Sequence, residues 1–479
     1  MEKQERSSFS SRVGFVLAAS GSAVGLGNLW RFPYLAARYG GGIFLLVYLI
    51  LVVTFGFSLM ITEFAIGRKT RLSCIGAYGA LDKRFNFLGW IAAFVPLIIT
   101  PYYCVIGGWV MKYLWTFVSG GALEAADNGG FFSRFISFDA GSLPATILNF
   151  SGPTPWFVLF VLITGLVVIF GVQKGIENAS RLMMPVLAVL IVVIALYSLT
   201  IPGALAGVKY YLMPDFSQFS ASTVLGACGQ MFYSMSLAMG ITITYGSYMP
   251  KENLLEHSVT QIEIFDTLFA FFAGLMIIPA VIAFNGGDPS QVNSGPSLMF
   301  ISLPMVFDSM KFGTVIGAVF FLLVLFAALT SSIALMETLA SVIMDKFKLK
   351  RIPATLIIIA ICLVVGMLSC LGYGPWESVT IIGMQFLDFF DFISNSVLMP
   401  IRADLRADRP CRRHQGRRRR GQVGRRLVPP RKAAPRHDPL DRADPASRYS
   451  CFRARKQDLR RVQHLILPVE KLRFSDKMC

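Results

Sequence analysis

Charge is scarce over most of this chain. Only 15% of its 479 residues are charged, against 54% hydrophobic, too few charges to cover a water-soluble globule of this length. That balance places it among polytopic membrane proteins. Cysteine patterning is also missing. The eight cysteines, at 74, 104, 228, 362, 370, 411, 451 and 479, form no Cys-x-x-Cys pair, and five lie in or beside apolar segments. A metal centre or a disulfide framework is therefore not expected. No Gly-rich loop ending in Lys-Ser or Lys-Thr is present, so ATP is not expected to supply energy. A cleavable leader is not expected either, because the first apolar run begins near Val13 and continues past any small-residue cleavage site.

What charge there is collects at one end. Residues 402–479 hold 24 of the 45 Lys and Arg and 8 of the 28 Asp and Glu, a net of +16, which leaves +1 for the preceding 401 residues. Before that point the sequence reads as ten apolar segments, at about 13–37, 42–66, 87–118, 155–171, 182–200, 222–248, 258–284, 312–344, 353–371 and 378–401. Each is near the length a bilayer requires. Basic residues gather in the N-terminus (Lys3, Arg6, Arg12), in loop 67–86 (Arg68, Lys69, Arg71, Lys83, Arg84) and in loop 345–352 (Lys346, Lys348, Lys350, Arg351). Alternating spans put all of these on one side, so the N-terminus is expected to be cytoplasmic.

Two segments carry residues that a lipid-facing helix excludes. Segment 1 contains Gly21, Gly25 and Gly27 with Asn28, Arg31 and Pro33; segment 6 contains Tyr233, Ser234 and Ser236 and closes on Gly240. Irregular backbone at membrane depth persists only where it lines a cavity or is buried in protein. A half-broken helix offers bare carbonyls to a cation and bare N–H groups to an anion. These stretches therefore read as sites for an ion and for a small anionic or zwitterionic solute. Their separation by five spans suggests two five-helix repeats of inverted topology, helices 1–5 and 6–10, with the solute between the breaks. The expected class is an all-α polytopic membrane protein.

Several stretches carry a resemblance. They are GlySerAlaValGlyLeuGlyAsnLeuTrpArgPhePro (21–33), GlyGlyGlyIlePhe (40–44), GlyGlnMetPheTyrSerMetSerLeu (229–237) and AlaAlaLeuThrSerSerIleAla (327–334), supported by TyrTyr at 102–103 and AspPheIleSerAsn at 391–395. In this order they resemble the neurotransmitter:sodium symporter family, in its prokaryotic amino-acid transporter branch with the leucine-transporter fold. The resemblance covers about 1–401, the expected membrane domain. Family members have eleven or twelve spans, whereas this text changes character inside the tenth. A reading-frame shift after about Ile401 explains that best, with a true basic cytoplasmic tail as the alternative. The 402–479 stretch has the composition of a disordered segment. Its ArgArgHisGlnGlyArgArgArgArg run (412–420) lacks aromatic interleaving, so no nucleic-acid partner is expected.

The resemblance implies two sodium sites. The first uses the Ala23 carbonyl, Asn28 and Ser234, with Asp266 as a further ligand or as the negative charge that replaces a chloride. The second uses the Gly21, Val24 and Ala327 carbonyls with Thr330 and Ser331. It implies a substrate pocket of Ser22, Ala23, Leu26, Gly27, Ile99, Tyr103, Tyr233, Ser234, Ser236, Met239, Ser331 and Leu335. Arg31 and Asp391 resemble an outer gate, with Gln230 beside it, and Arg6 and Asp345 an inner one. Glu63 is expected to support freed backbone. Monoamine members of the family carry an aspartate at position 25, whereas this chain has Gly25. The substrate must then bring its own carboxylate, which favours an α-amino acid with an apolar side chain.

The expected function is sodium-coupled symport of neutral, hydrophobic or aromatic amino acids by alternating access. It would operate in the plasma (inner) membrane, within a lipid bilayer, and without enzyme chemistry. The alternatives are a transport-inactive truncated relic and an amino-acid-binding membrane sensor.

Overall fold

The computed structural model describes residues 7–250, 252–288, 292 and 295–399. Among these residues there is no strand, and only isolated bridges (Gly41 with Pro214, Ile381 with Met384) interrupt an all-helical architecture. Arg6 and the stretch 402–479 lie outside the described residues.

Among the described residues six helices are long and apolar enough to cross a membrane, and a seventh span forms if one pair bent by 51° is counted. The bent pair is α1 (Arg12–Ala23) with α2 (Phe32–Arg38), joined through a π-helical turn Gly27–Arg31. It is followed by α3 (Gly42–Thr70), α4 (Asn86–Val118), α5 (Thr154–Ile169) and α6 (Asn178–Ser198), the last preceded by a π turn Val172–Glu177. Segment 6 is divided into α7 (Ala221–Ser234) and α8 (Ile241–Tyr248). Then come α9 (Leu255–Phe284), α10 (Gly313–Phe347), α11 (Arg351–Leu371) and α12 (Phe386–Asp391), which runs on as a π turn Phe392–Leu398. Large apolar side chains such as Leu166, Leu182, Val189 and Val364 are exposed along the outer faces. In water such surface would be a liability, and in a bilayer it is the solvated surface.

Segment 1 gives way at Val24–Leu26, between Gly21 and Gly27. One sequence boundary shifts. Segment 10, expected from 378, does not become helical until Phe386, because Gly374, Pro375 and Gly383 feed turns and the Ile381–Met384 bridge. The connection 119–154 carries short helices at Ala122–Ala125, Gly130–Ile136 and Leu143–Leu148.

Small residues set the helix spacing. A Cβ on Gly67 of α3 would lie 1.9 Å from the Ile243 carbonyl oxygen, and one on Gly246 of α8 would lie 2.5 Å from the Phe64 carbonyl oxygen. α3 and α8 therefore meet backbone to backbone, as small-residue interfaces allow in membranes. α4 runs against α10, α5 and α11. Gly107 and Gly108 seat the Phe160 ring and the Trp156–Phe157 backbone of α5. The two broken helices lie against this packed frame.

Candidate functional site

The break in segment 1 comes from its own residues. α1 ends with Val24 in an extended conformation (φ −71°, ψ 107°), and Gly25 and Leu26 carry the chain to the π turn. The break in segment 6 is more strained. Ser236 (φ 52°), Ala238 (φ 65°) and Gly240 (φ 77°) all adopt left-handed backbone within five residues. For the two non-glycine residues this costs about 1–3 kcal/mol each, strain of a kind that gathers at functional sites.

The breaks face each other. Ser236 Oγ donates to the Ser22 carbonyl (2.7 Å), and Gln230 Nε2 donates to the Gly27 carbonyl (3.1 Å). Between them lies a cavity lined by Ser22, Ala23, Gly25, Leu26, Gly27, Asn28, Ile99, Tyr103, Tyr233, Ser236, Met239, Ile241, Ser331 and Leu335. Every pocket residue named from sequence lines it except Ser234, which stands behind Asn28. Gly25 and Asn28, singled out in the sequence for other reasons, line it too, and Ile241 is a residue the sequence did not single out. It opens α8 directly after Gly240 and reads in sequence as one more core isoleucine. No lining residue carries a charge. The space is tightly bounded: a Cβ on Gly25 would fall 2.5 Å from Ser331 Oγ and 3.0 Å from Tyr103 Oη, and one on Gly27 would fall 2.3 Å from the Tyr233 ring. Tyr103 Oη accepts from the Leu26 N–H at 3.3 Å.

Two groups of oxygen atoms border this cavity. In the first, Asn28 Nδ2 donates to Asp266 Oδ1 (2.8 Å) and to Ser234 Oγ (3.3 Å), and Ser234 Oγ donates to Asp266 Oδ2 (2.7 Å). Tyr48 Oη is 3.4 Å from Ser234 Oγ. All four side chains are buried, yet Asn28 Oδ1 has no hydrogen-bond partner. A buried acceptor left unpaired is costly unless a cation meets it. Hard oxygens with a single carboxylate suit a monovalent ion. Among the described residues no cluster of three His, Cys, Asp or Glu could hold a metal ion. In the second group, Ser331 Oγ donates to the Val24 carbonyl (3.1 Å) and the Gly21 carbonyl (3.4 Å), while Thr330 Oγ1 donates to the Ala327 carbonyl (3.1 Å). A hydroxyl can rotate to turn its lone pair toward an ion, so this neutral set also fits sodium.

The gate residues take varied positions. The Arg31 guanidinium lies over the Tyr233 ring, 5.0 Å from its centroid. Asp391 is not in ion-pair contact with Arg31; it accepts from Tyr102 Oη (3.1 Å) and Asn395 Nδ2 (2.6 Å). Asp345 accepts from the Ser73 N–H at 2.6 Å, and its expected partner Arg6 lies outside the described residues. Glu63 is fully buried and accepts from Thr242 Oγ1 at the start of α8, a contact that ties α3 to the second half of the broken helix.

A sequence model described as the sodium:neurotransmitter symporter family matches residues 6–122 and 132–404. The chain belongs to this family. The match stops close to where the composition turns basic. The symporter is 36% identical over 404 residues to an uncharacterized sodium-dependent transporter of Bacillus subtilis, an overlap of 84% of this chain and 86% of that protein. It is 35% identical over 415 residues to another from Methanocaldococcus jannaschii, an overlap of 85% and 81%. Among solved structures, MhsT in complex with L-phenylalanine superposes with a TM-score of 0.74 at 39% identity, covering 83% of this symporter and 88% of MhsT. The protein is thus a sodium-dependent secondary transporter of the membrane with the leucine-transporter fold, and not an enzyme.

Proposed function

We propose that this symporter carries neutral, apolar α-amino acids into the cell together with two sodium ions. The observation that supports the reading is the uncharged lining of the cavity between the broken helices. A bare amine or a bare acid would be buried there without a counter-charge, at high cost. A zwitterion brings both charges. Its carboxylate has the Leu26 and Gly27 N–H groups and Tyr103 Oη as donors, and its amine has the Ala23, Tyr233 and Ser236 oxygens. Ile99, Met239, Ile241 and Leu335 then face an apolar side chain, with Met239 able to deform around it. The same chemistry agrees with the L-phenylalanine bound in the MhsT structure.

In this reading one sodium ion binds at Ala23, Asn28, Ser234 and Asp266, and its shell is completed by the substrate carboxylate. The other binds at Gly21, Val24, Ala327, Thr330 and Ser331. Coupling follows from the shared carboxylate: sodium raises substrate affinity, and substrate raises sodium affinity by the same factor. Ion and substrate binding close Tyr103 and Tyr233 over the cavity, with Arg31, Gln230 and Asp391 outside them. Separation of the side that carries Asp345 and Arg6 then releases both to the cytoplasm. The N-terminus is on the cytoplasmic side of the plasma membrane in this scheme.

The test is uptake into proteoliposomes under an inward sodium gradient, with labelled L-phenylalanine and L-leucine as probes. Sodium-driven accumulation that excess neutral, apolar α-amino acids block, and aspartate, lysine or γ-aminobutyrate do not, is expected. Accumulation blocked equally by an amine or an acid would overturn the substrate class. Binding without accumulation would overturn transport in favour of a relic or a sensor.

A further inference from the structure

The chain just before α1 is held by a side chain that none of the expected gates includes. Glu177, the last residue of the π turn leading into α6, is buried to 1% exposure, although it lies at the end of a span among polar residues. Its carboxylate is shared by three donor residues. Ser10 N–H donates to Oε2 (2.8 Å), Ser10 Oγ to Oε1 (2.6 Å) and Ser11 Oγ to Oε1 (3.3 Å). Arg181 Nη2 completes the group, donating to Oε1 at 2.7 Å and to Ser11 Oγ at 2.9 Å. From the same turn, Gln173 Nε2 donates to the Ser8 carbonyl at 2.8 Å. Room for this clasp exists because residue 14 is glycine: a Cβ there would lie 1.8 Å from Glu177 Oε1.

The placement matters because of what α1 does. Ser11 is its N-cap, accepting from the Gly14 N–H, and Ala23 is its last residue at the cavity. α1 packs against α6, α9 and α10, so a route from the cavity that runs along α1 to its N-terminal end would part it from α6. A buried carboxylate that holds the first turn of α1 to α6 opposes that parting directly. Charge-assisted hydrogen bonds are the strong ones, and π turns within helices are frequent at functional sites.

We propose that Glu177 is a positioning residue for transport: it clasps Ser10 and Ser11 to keep the N-terminal end of α1 closed, and the clasp must open for cargo to leave on that side. This rests on the symport reading above, but its first test does not. Hydrogen exchange of residues 8–19 is measured on the full chain in sodium-containing buffer, without any amino acid. Amide exchange at 10–14 is expected to rise by about tenfold or more in Glu177→Ala and in Gly14→Ala, the equivalent of losing one buried bond, and to return toward wild type in Glu177→Asp. A Ser10→Ala, Ser11→Ala double variant removes the donors instead of the carboxylate and should give the same rise if the large changes impair folding. In sodium-loaded proteoliposomes with L-phenylalanine as probe, the same variants should release it faster than they accumulate it. Unchanged exchange at 10–14 in both the carboxylate and the donor variants would overturn the clasp. So would equal loss of L-phenylalanine influx and efflux alongside raised exchange, which would mark a purely structural contact. If the wild type moves no L-phenylalanine at all, the symport reading fails, and the exchange result then decides the clasp on its own.

Discussion

Gly25→Ala is a one-carbon perturbation whose effect can be worked from the cavity geometry. The new Cβ would arrive 2.5 Å from Ser331 Oγ, 3.3 Å from Ser331 Cβ and 3.0 Å from Tyr103 Oη. Gly25 itself has no left-handed backbone, so the cost is contact and not strain. Ser331 Oγ must retreat by most of an ångström, and the only cheap route is rotation about its Cα–Cβ bond. That rotation moves the hydroxyl away from the Val24 carbonyl, which it meets at 3.1 Å. Overpacking of this kind costs about 1–3 kcal/mol, and losing a buried hydrogen bond falls in the same range. Because Ser331 belongs to the proposed second sodium site, the cost should appear as weaker sodium binding, by about 5–150-fold. The assay is sodium-dependent L-phenylalanine uptake in proteoliposomes, titrated with sodium. A half-saturating sodium concentration within about twofold of wild type, in a variant that still transports, would refute the placement of Ser331.

Two further perturbations test the frame instead of the site. Gly67→Ala would drive a carbon to 1.9 Å from the Ile243 carbonyl, a backbone atom with no rotamer in which to escape; the cost should reach about 3 kcal/mol, read as lost monodisperse protein in gel filtration, and a normally behaved variant would contradict the α3–α8 contact. Glu337→Gln removes the buried charge that pairs with Arg351 (2.5 Å) and sets an amide NH2 in place of one of the two carboxylate oxygens that accept from Arg351 and from Tyr248 Oη (2.6 Å). Breaking one side of such a pair costs about 3–5 kcal/mol, so the melting temperature should fall clearly, whereas an unchanged melt would show the pair to be dispensable.

Much of this was legible in the residues, for reasons that differ from part to part. Long apolar runs gave α3, α4, α9, α10 and α11 close to their observed limits, because a bilayer leaves a helix few alternatives. The breaks were visible because Gly25, Asn28 and Ser236 are improbable in a lipid-facing helix. Segment 10 was placed too early because apolar content alone did not reveal that Gly374, Pro375 and Gly383 would bend the chain. The π turns left no mark, since one extra residue within a helix adds no residue type of its own and turns as different as Gly27–Arg31 and Val172–Glu177 share no pattern. Ile241 escaped notice because its type is that of any core residue; only its place after Gly240 aims it at the cavity. Glu177 drew no reading from sequence, because a glutamate four residues from Arg181 is an ordinary helix pair, and only the folded path of Ser10 and Ser11 brings donors to it.

The central claim is that opened helix ends, with Asn28 at their centre, hold sodium beside the substrate. Equilibrium binding of labelled L-phenylalanine to the purified chain, titrated with sodium, tests it most directly when wild type is compared with Asn28→Ala. The variant loses the one unpaired oxygen of the buried Asn28–Ser234–Asp266 group. The account predicts that it needs about tenfold more sodium or more for half-maximal binding. An identical sodium dependence in the two proteins would contradict it.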